Sequence, residues 1–358
     1  DKSLSITWTK TNIKVDGELT IADLTGWKSV NTPDDFEDQR FWLYVQERPD
    51  PDARDDVEDL LDTADDERVV AWLPRDLTDR QVNKLQEYEA LTELVTDYER
   101  SDAPHASEKR EMAASQLEDG ETELPSIIKD CFRQGNAFSA ELSDIDFTFQ
   151  QSLENNVQEI VQDPLNRTYN EIELTFPSNN VWEDKQTNKI LEGIVKYVKI
   201  TTSLDSRYES AANNFAQGLK ITSQRNPQEL DLSDNPYTDK IIELLKEETE
   251  DDDDSLSIQR IHNELRTQPI GLSSRIIAIY VLSLVKESKL EATVTGNIIE
   301  GGVVSSTNIE DAQFTNNDLG KQIETIRTPT APDNWTNIVN IADTVISEDV
   351  SRERKQEN

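Results

Sequence analysis

The chain is poor in the residues from which most enzyme sites are built. Its 358 residues include one cysteine, Cys131, and two histidines, His105 and His262. A single thiol excludes internal disulfides and cysteine-rich zinc sites, and two imidazoles leave little material for a histidine triad. No run of about 18 apolar residues is present, so no segment is expected to span a bilayer. A glycine-rich phosphate loop is also missing, because the Gly320-Lys321 pair lacks both the earlier glycine and the following Ser or Thr. No GxSxG, HExxH or GxGxxG occurs. No basic and apolar leader follows Asp1, and a cytoplasmic protein is expected.

What is there is acid. Asp and Glu number 73 against 36 Lys and Arg, a formal charge of -37 spread over nearly every segment. Such a surface repels itself at low salt and is screened at high salt, so the composition points to a salt-loaded cytoplasm. Apolar residues, 35% of the chain, recur at helical and strand spacing, which argues for a folded chain. With so many carboxylates any acid–base pair arises by accident. A metal-dependent acidic nuclease is therefore a reading without distinctive residues, and no catalytic, cofactor-binding or metal-ligating residue is assigned. Asn166-Arg167-Thr168 and Asn334-Trp335-Thr336 match a glycosylation triplet and are read as plain surface residues.

The pattern predicts an α+β protein, predominantly helical, in five stretches: a strand-rich α/β part (1–75), a helical domain (76–200), a loop-rich acidic linker with a short helix (201–254), a winged-helix-like module (255–342) and a flexible tail (343–358). In the first, Leu4, Ile6 and Trp8 alternate and Asp16-Gly17 is expected to turn a hairpin. Phe41 to Val45 and Val69 to Leu73 read as strands flanking a short helix on Val57, Leu60 and Leu61. Thr78 caps a long helix through Tyr88, Leu91 and Tyr98. Further helices are expected over 105–117 and 123–134, the second placing Cys131 in the core, and from Phe147 to Val161, ended by Asp163-Pro164. Another starts at Thr187 and carries Ile190 to Val198. His105 reads as a helix-start residue and His262 as an exposed one. Trp42 and Trp72 are expected in the core.

Asn226-Pro227 and Asn235-Pro236 read as breakers ahead of a helix over 238–248, and the acidic run 247–254 as a solvated linker. The clearest supersecondary pattern follows. Ser257 caps a helix through Leu265, Pro269-Ile270-Gly271 turns, Ser273 or Ser274 opens a second helix through Leu284, and a hairpin turns at Gly296-Asn297 between Leu290 and Val304. Helix, turn, helix and hairpin is the plan of a winged helix. If it reads duplex DNA, Ser273, Ser274 and Arg275 open the recognition helix, with Lys286 and Lys289 as further cations. The alternative use is docking to protein.

Phe41-Trp42-Leu43-Tyr44-Val45, Val69-Val70-Ala71-Trp72-Leu73-Pro74 and the helix carrying Leu85, Tyr88 and Leu91 resemble strands and a long helix of a known family. These are the large ATPases of phage-exclusion defence islands, of the BREX and phage-growth-limitation type, in the region that follows their P-loop domain. Phe176-Pro177, the stretch from Leu265 through Pro269-Ile270-Gly271-Leu272, and Ile276 to Leu284 are similar to later pieces. The resemblance spans about two thirds of the chain and suggests a halophilic, archaeon-like source. It implies a place in a multi-protein, DNA-directed defence complex, with ATP and magnesium bound outside this segment, since the Walker lysine is missing. The leading expectation is a non-catalytic regulatory or assembly region of such an ATPase. The alternatives are a stand-alone DNA-binding adaptor acting through residues 255–305 and the acidic nuclease.

Overall fold

The structure, a computed structural model, describes residues 2–24, 39–50, 52–101, 103–121, 123–140, 144–177, 181–195, 212–222, 230–250 and 255–329. Trp27, Trp335, Val198, the Asn334 triplet, the acids 251–254 and the tail 343–358 lie outside the described residues. Helices make up 46% and strands 19%, an α+β fold. Contacts divide the chain into two units, one of residues 1–183 with 266–272, the other of residues 184–265 with 273–358.

The first unit is built on a six-stranded mixed sheet in the order β1 to β6: β1 (Lys2–Trp8), β2 (Ile13–Ala22), β3 (Gln39–Gln46), β4 (Val69–Leu73), β5 (Asn136–Phe138) and β6 (Asp144–Ile145). β2, β3 and β4 are parallel and the other pairings antiparallel. The expected strand, helix, strand unit is present, because α1 (Ala53–Ala64) joins β3 to β4. Ala53, Val57 and Leu61 of α1 bury against Tyr44, Val69, Ala71 and Phe138 of the sheet.

The turn expected at Asp16-Gly17 does not form there. Both residues lie inside β2, and the chain reverses over residues 9–12, where Asn12 adopts φ 56°. Glycine serves packing at position 17: a Cβ there would stand 2.4 Å from the Phe41 ring. The helical arm that follows β4 is formed by α2 (Asp79–Glu99) and α3 (Ala106–Glu121). Thr78 and Gln81 close a reciprocal capping box on α2. α4 (Leu124–Arg133) buries Cys131, and its Phe132 meets Trp72 edge-on at 5.3 Å.

The helix expected from Phe147 starts later, as α5 (Leu153–Ile160), because Ser152 caps it and Asn156 folds back to accept from the Gln150 amide. Asp163-Pro164 does not end the helical stretch. Pro164 sits in the first turn of α6 (Gln162–Thr168), where its missing N–H costs nothing.

In the second unit α7 (Thr187–Ile190) runs on as a π turn over Leu191–Val195. Asn235-Pro236 opens α8 (Pro236–Glu250) rather than breaking it: Asn235 Oδ1 accepts from the amides of Tyr237 and Thr238. A four-stranded antiparallel sheet has the order β7 (Leu256–Ser257), β10 (Ile323–Arg327), β8 (Glu291–Val294) and β9 (Val303–Val304). Between β7 and β8 lie α9 (Ile258–Leu265) and α10 (Ser274–Lys286).

Every residue of α10 from Ile276 to Val285 is buried. A helix that is apolar on all sides belongs inside a core, and each large aliphatic side chain buried there contributes about 1.5–3 kcal/mol. Ser283 satisfies its hydroxyl within the helix, donating to Ile279 O at 2.7 Å.

Candidate functional site

The residues expected to meet DNA lie at and beyond the two ends of α10. Ser273 is the N-cap of α10, its Oγ accepting from the Ile276 amide at 3.4 Å. Ser274 is half-buried against Gly320, where a Cβ would stand 2.5 Å from its Oγ. Arg275 is half-buried. Lys286 pairs with Glu310 at 2.9 Å with a side chain only 9% exposed, and Lys289 is exposed. A helical rise of 1.5 Å per residue separates Ser274 from Lys286 by about 18 Å. A groove-reading helix needs an exposed face, and α10 has none over residues 276–285.

The two histidines also differ in placement. His105 precedes α3 with φ 67° and lies 3.0 Å from Glu108. His262, expected to be exposed, is 7% exposed, because α9 packs against α8, α10 and the second sheet and turns this side inward. Thr168 of the first glycosylation triplet is buried as well, and Asn166 Oδ1 accepts from Trp8 Nε1 at 2.8 Å. Trp72 is buried as expected, whereas Trp42 is half-buried. Among the described residues no group of three or more His, Cys, Asp or Glu is placed to hold a metal ion. None of the described helices is long and apolar enough to cross a membrane.

The densest polar constellation lies in the first unit around Tyr169, at the C-terminus of α6. The residue is 2% exposed. Arg68, entering β4, donates through Nη1 to Tyr169 Oη at 3.4 Å and forks onto Asp66, with Nη2 2.7 Å from Oδ2. Arg40, on β3, stacks over the Tyr169 ring at 5.6 Å and donates to the carbonyl of Gly271. Lys10 donates to the carbonyls of Tyr169 and Asn170, orphaned where α6 ends, at 3.3 and 3.1 Å. The Glu171 amide donates to Pro269 O at 3.2 Å.

Gly271 lies on the ring itself. At φ 70°, a Cβ there would stand 2.2 Å from Tyr169 Cδ1, so only glycine gives both the left-handed backbone and the close approach. Residues 266–272 thus form a strap seated on Tyr169.

Beside it, Arg167 reaches Asp163 and Glu67, and Ser139 Oγ donates to Glu67 Oε2 at 2.7 Å. Burial opposes the charge of Arg68, yet its bonds to Asp66 and Tyr169 outweigh that cost and raise its pKa. The hydrogen bond to Asp163 raises that of Arg167. The constellation therefore holds permanently charged guanidiniums on fixed acceptors, a clamp and not an acid–base pair. Sequence reading missed it because its members, at 10, 40, 68, 169 and 271, are scattered along the chain. The available signal was Gly271 behind Pro269.

An α+β chain with a clamp at the centre of its first unit and no catalytic cluster among the described residues is the class that the fold defines. Within it, residues 45–169 match the family model of the PglY fourth domain. The match begins in β3, takes in the arm and ends on Tyr169. PglY is a protein of BREX-type defence, and the similarity associates these residues with phage defence. No curated protein and no solved structure matches the chain.

Proposed function

We propose that the chain is a non-catalytic assembly region of a phage-defence ATPase, acting in a DNA-directed complex in a high-salt cytoplasm. The PglY-type match over 45–169 carries the reading, since it covers the centre of the first sheet and the α2–α3 arm, elements that fix shape and offer surface. In this reading ATP and magnesium are bound by residues outside this segment. The burial of α10 favours protein docking over the winged-helix adaptor reading. Deleting the coding segment from its native gene is the test. Phage plating should rise to the level of a strain without the defence genes, while the purified chain in molar KCl should show no turnover of magnesium-ATP. Unchanged resistance after deletion, or robust turnover, would overturn it.

A further inference from the structure

Three large apolar side chains of the α2–α3 arm are exposed, Val82 at 36% near the start of α2 and, further along, Leu94 at 41% and Met112 at 69%. Three contacts fix how the helices face each other. Gly120 lies against the Tyr88 ring, Lys109 stacks over Tyr98 at 5.7 Å, and Arg110 pairs with Glu99 at 3.8 Å. Leu94 is one turn before Tyr98 and Met112 one turn after Lys109, so in this antiparallel pair they sit at the same level, on the side marked by the Lys109–Tyr98 contact. Ala90, also exposed, extends the stripe by a turn.

The arm is thinly packed: its buried core is Tyr88, Leu91 and Ala113, with Val95, Leu117 and Leu124 alongside. A third helix on the Leu94–Met112 side would give it the buried apolar surface from which helices draw most of their stability. Charge selects the occupant. Residues 79–121 hold twelve acids and five bases, and exposed Asp97 and Glu108 flank the stripe. A second copy would bring the same acids against them.

We infer that this side of the arm is the docking stripe for an amphipathic, basic helix of a partner protein. The inference rests on the assembly reading and names its surface. Apolar residues of the partner cover Leu94 and Met112, and its Lys or Arg meet the acidic rim.

Met112 is the chain's sole methionine, so its labelled ε-methyl group gives one resonance that reports on the stripe. The intact chain is titrated in molar KCl with a helical peptide of leucine and lysine heptads, then with its leucine and glutamate counterpart. Under those conditions the Debye length is about 3 Å, so only charges in contact discriminate. The lysine peptide should shift the Met112 resonance, the glutamate peptide should not, and Leu94→Glu should weaken the lysine peptide by about tenfold, or about 1.4 kcal/mol.

Leu94 is exposed, so the variant folds, and Ala90→Glu is a second probe of the same side. No shift with the lysine peptide, equal shifts with both, or indifference to both variants would overturn the proposal. So would a Met112 shift on concentrating the chain alone, which would assign the stripe to a second copy. Peptide binding by a chain whose deletion leaves resistance intact would remove the assembly reading and keep the stripe. Sensitivity after deletion with no peptide binding would do the reverse.

Discussion

Gln158 and Thr7 exchange two hydrogen bonds: the Thr7 amide donates to Gln158 Oε1 at 2.9 Å, and Gln158 Nε2 donates back to the Thr7 carbonyl. One turn on, Gln162 Oε1 accepts from the Thr9 amide at 2.8 Å, and one turn earlier Glu154 pairs with Lys2 at 3.7 Å. A stripe at i, i+4 and i+8 of the α5–α6 stretch thus occupies the outer edge of β1, which would otherwise offer a row of free backbone groups to another strand.

Gln158→Ala should cost about 1–3 kcal/mol, because the Thr7 amide loses its partner, whereas the Thr7 carbonyl keeps Gln162 Nε2 at 3.2 Å. The variant should also aggregate faster than the parent during refolding. Denaturant titration and light scattering check both, and a loss under 0.5 kcal/mol without aggregation (about the size of an ordinary surface change) would discount the cap.

Gly271→Ala tests the strap. It combines a left-handed backbone with a methyl group forced onto the Tyr169 ring, and about 2–4 kcal/mol should be lost. The part of the cost due to the ring should vanish in the Tyr169→Ala background, while that of the left-handed backbone at φ 70° should remain. A double-mutant cycle reads the coupling, and additive losses would count against the contact.

Arg68→Ala removes the guanidinium from Asp66 in a nearly buried position and leaves its carboxylate the residue-68 amide, the Arg68 side chain being 5% exposed and that of Asp66 11%. Removing one partner of a buried pair costs about 3–5 kcal/mol, whereas replacing both by apolar residues costs far less. The double variant Asp66→Leu with Arg68→Met should therefore be more stable than Arg68→Ala alone, as urea midpoints would show.

Tyr280 gives a pH dependence with a definite sign. Burial raises its pKa well above the usual 10.0. The folded state keeps the phenol proton where the unfolded state releases it, so stability is complete below pH 10 and falls as pH rises beyond it. Tyr280→Phe should flatten that alkaline decline. At neutral pH it should cost only about 0.5–1 kcal/mol, because Leu219 O, which accepts from Tyr280, also accepts from Asn235 Nδ2 at 3.1 Å. Unfolding titrations at neutral and alkaline pH test it, and an unchanged alkaline limb would refute the assignment.

Salt should raise stability steeply. The net charge of -37 opposes compaction, and screening relieves it. The unfolding midpoint should climb between dilute buffer and molar KCl, and equal midpoints would remove the high-salt reading of the composition.

Local chemistry was legible in the sequence, and distant chemistry was not. The Thr78 cap, β3, α1, β4 and the buried Cys131 follow from spacing and capping that act within a few residues. Asp16-Gly17 misled because the need for glycine came from Phe41, on another strand. Pro164 misled because a proline that stops one helix can begin the next. His262 was misplaced because the polar residues around it mask how many elements pack on α9. The Tyr169 clamp was out of reach, since Lys10, Arg40, Arg68 and Gly271 meet it only after the sheet has formed.

The strap sets an order of events during synthesis. Gly271 leaves the ribosome roughly a hundred residues after Tyr169, about 5–20 s later at ordinary elongation rates. Until then Arg40 lacks its carbonyl acceptor and the Tyr169 ring its cover, although the whole sheet of the first unit has already been made. A chain cut after residue 183 would stay in that unfinished condition, so this unit is not a fragment that can be excised by one cut. Its last contact is supplied by a stretch bounded on both sides by sequence of the other unit, and a nascent chain paused between the two is the form most exposed to chaperones and proteases.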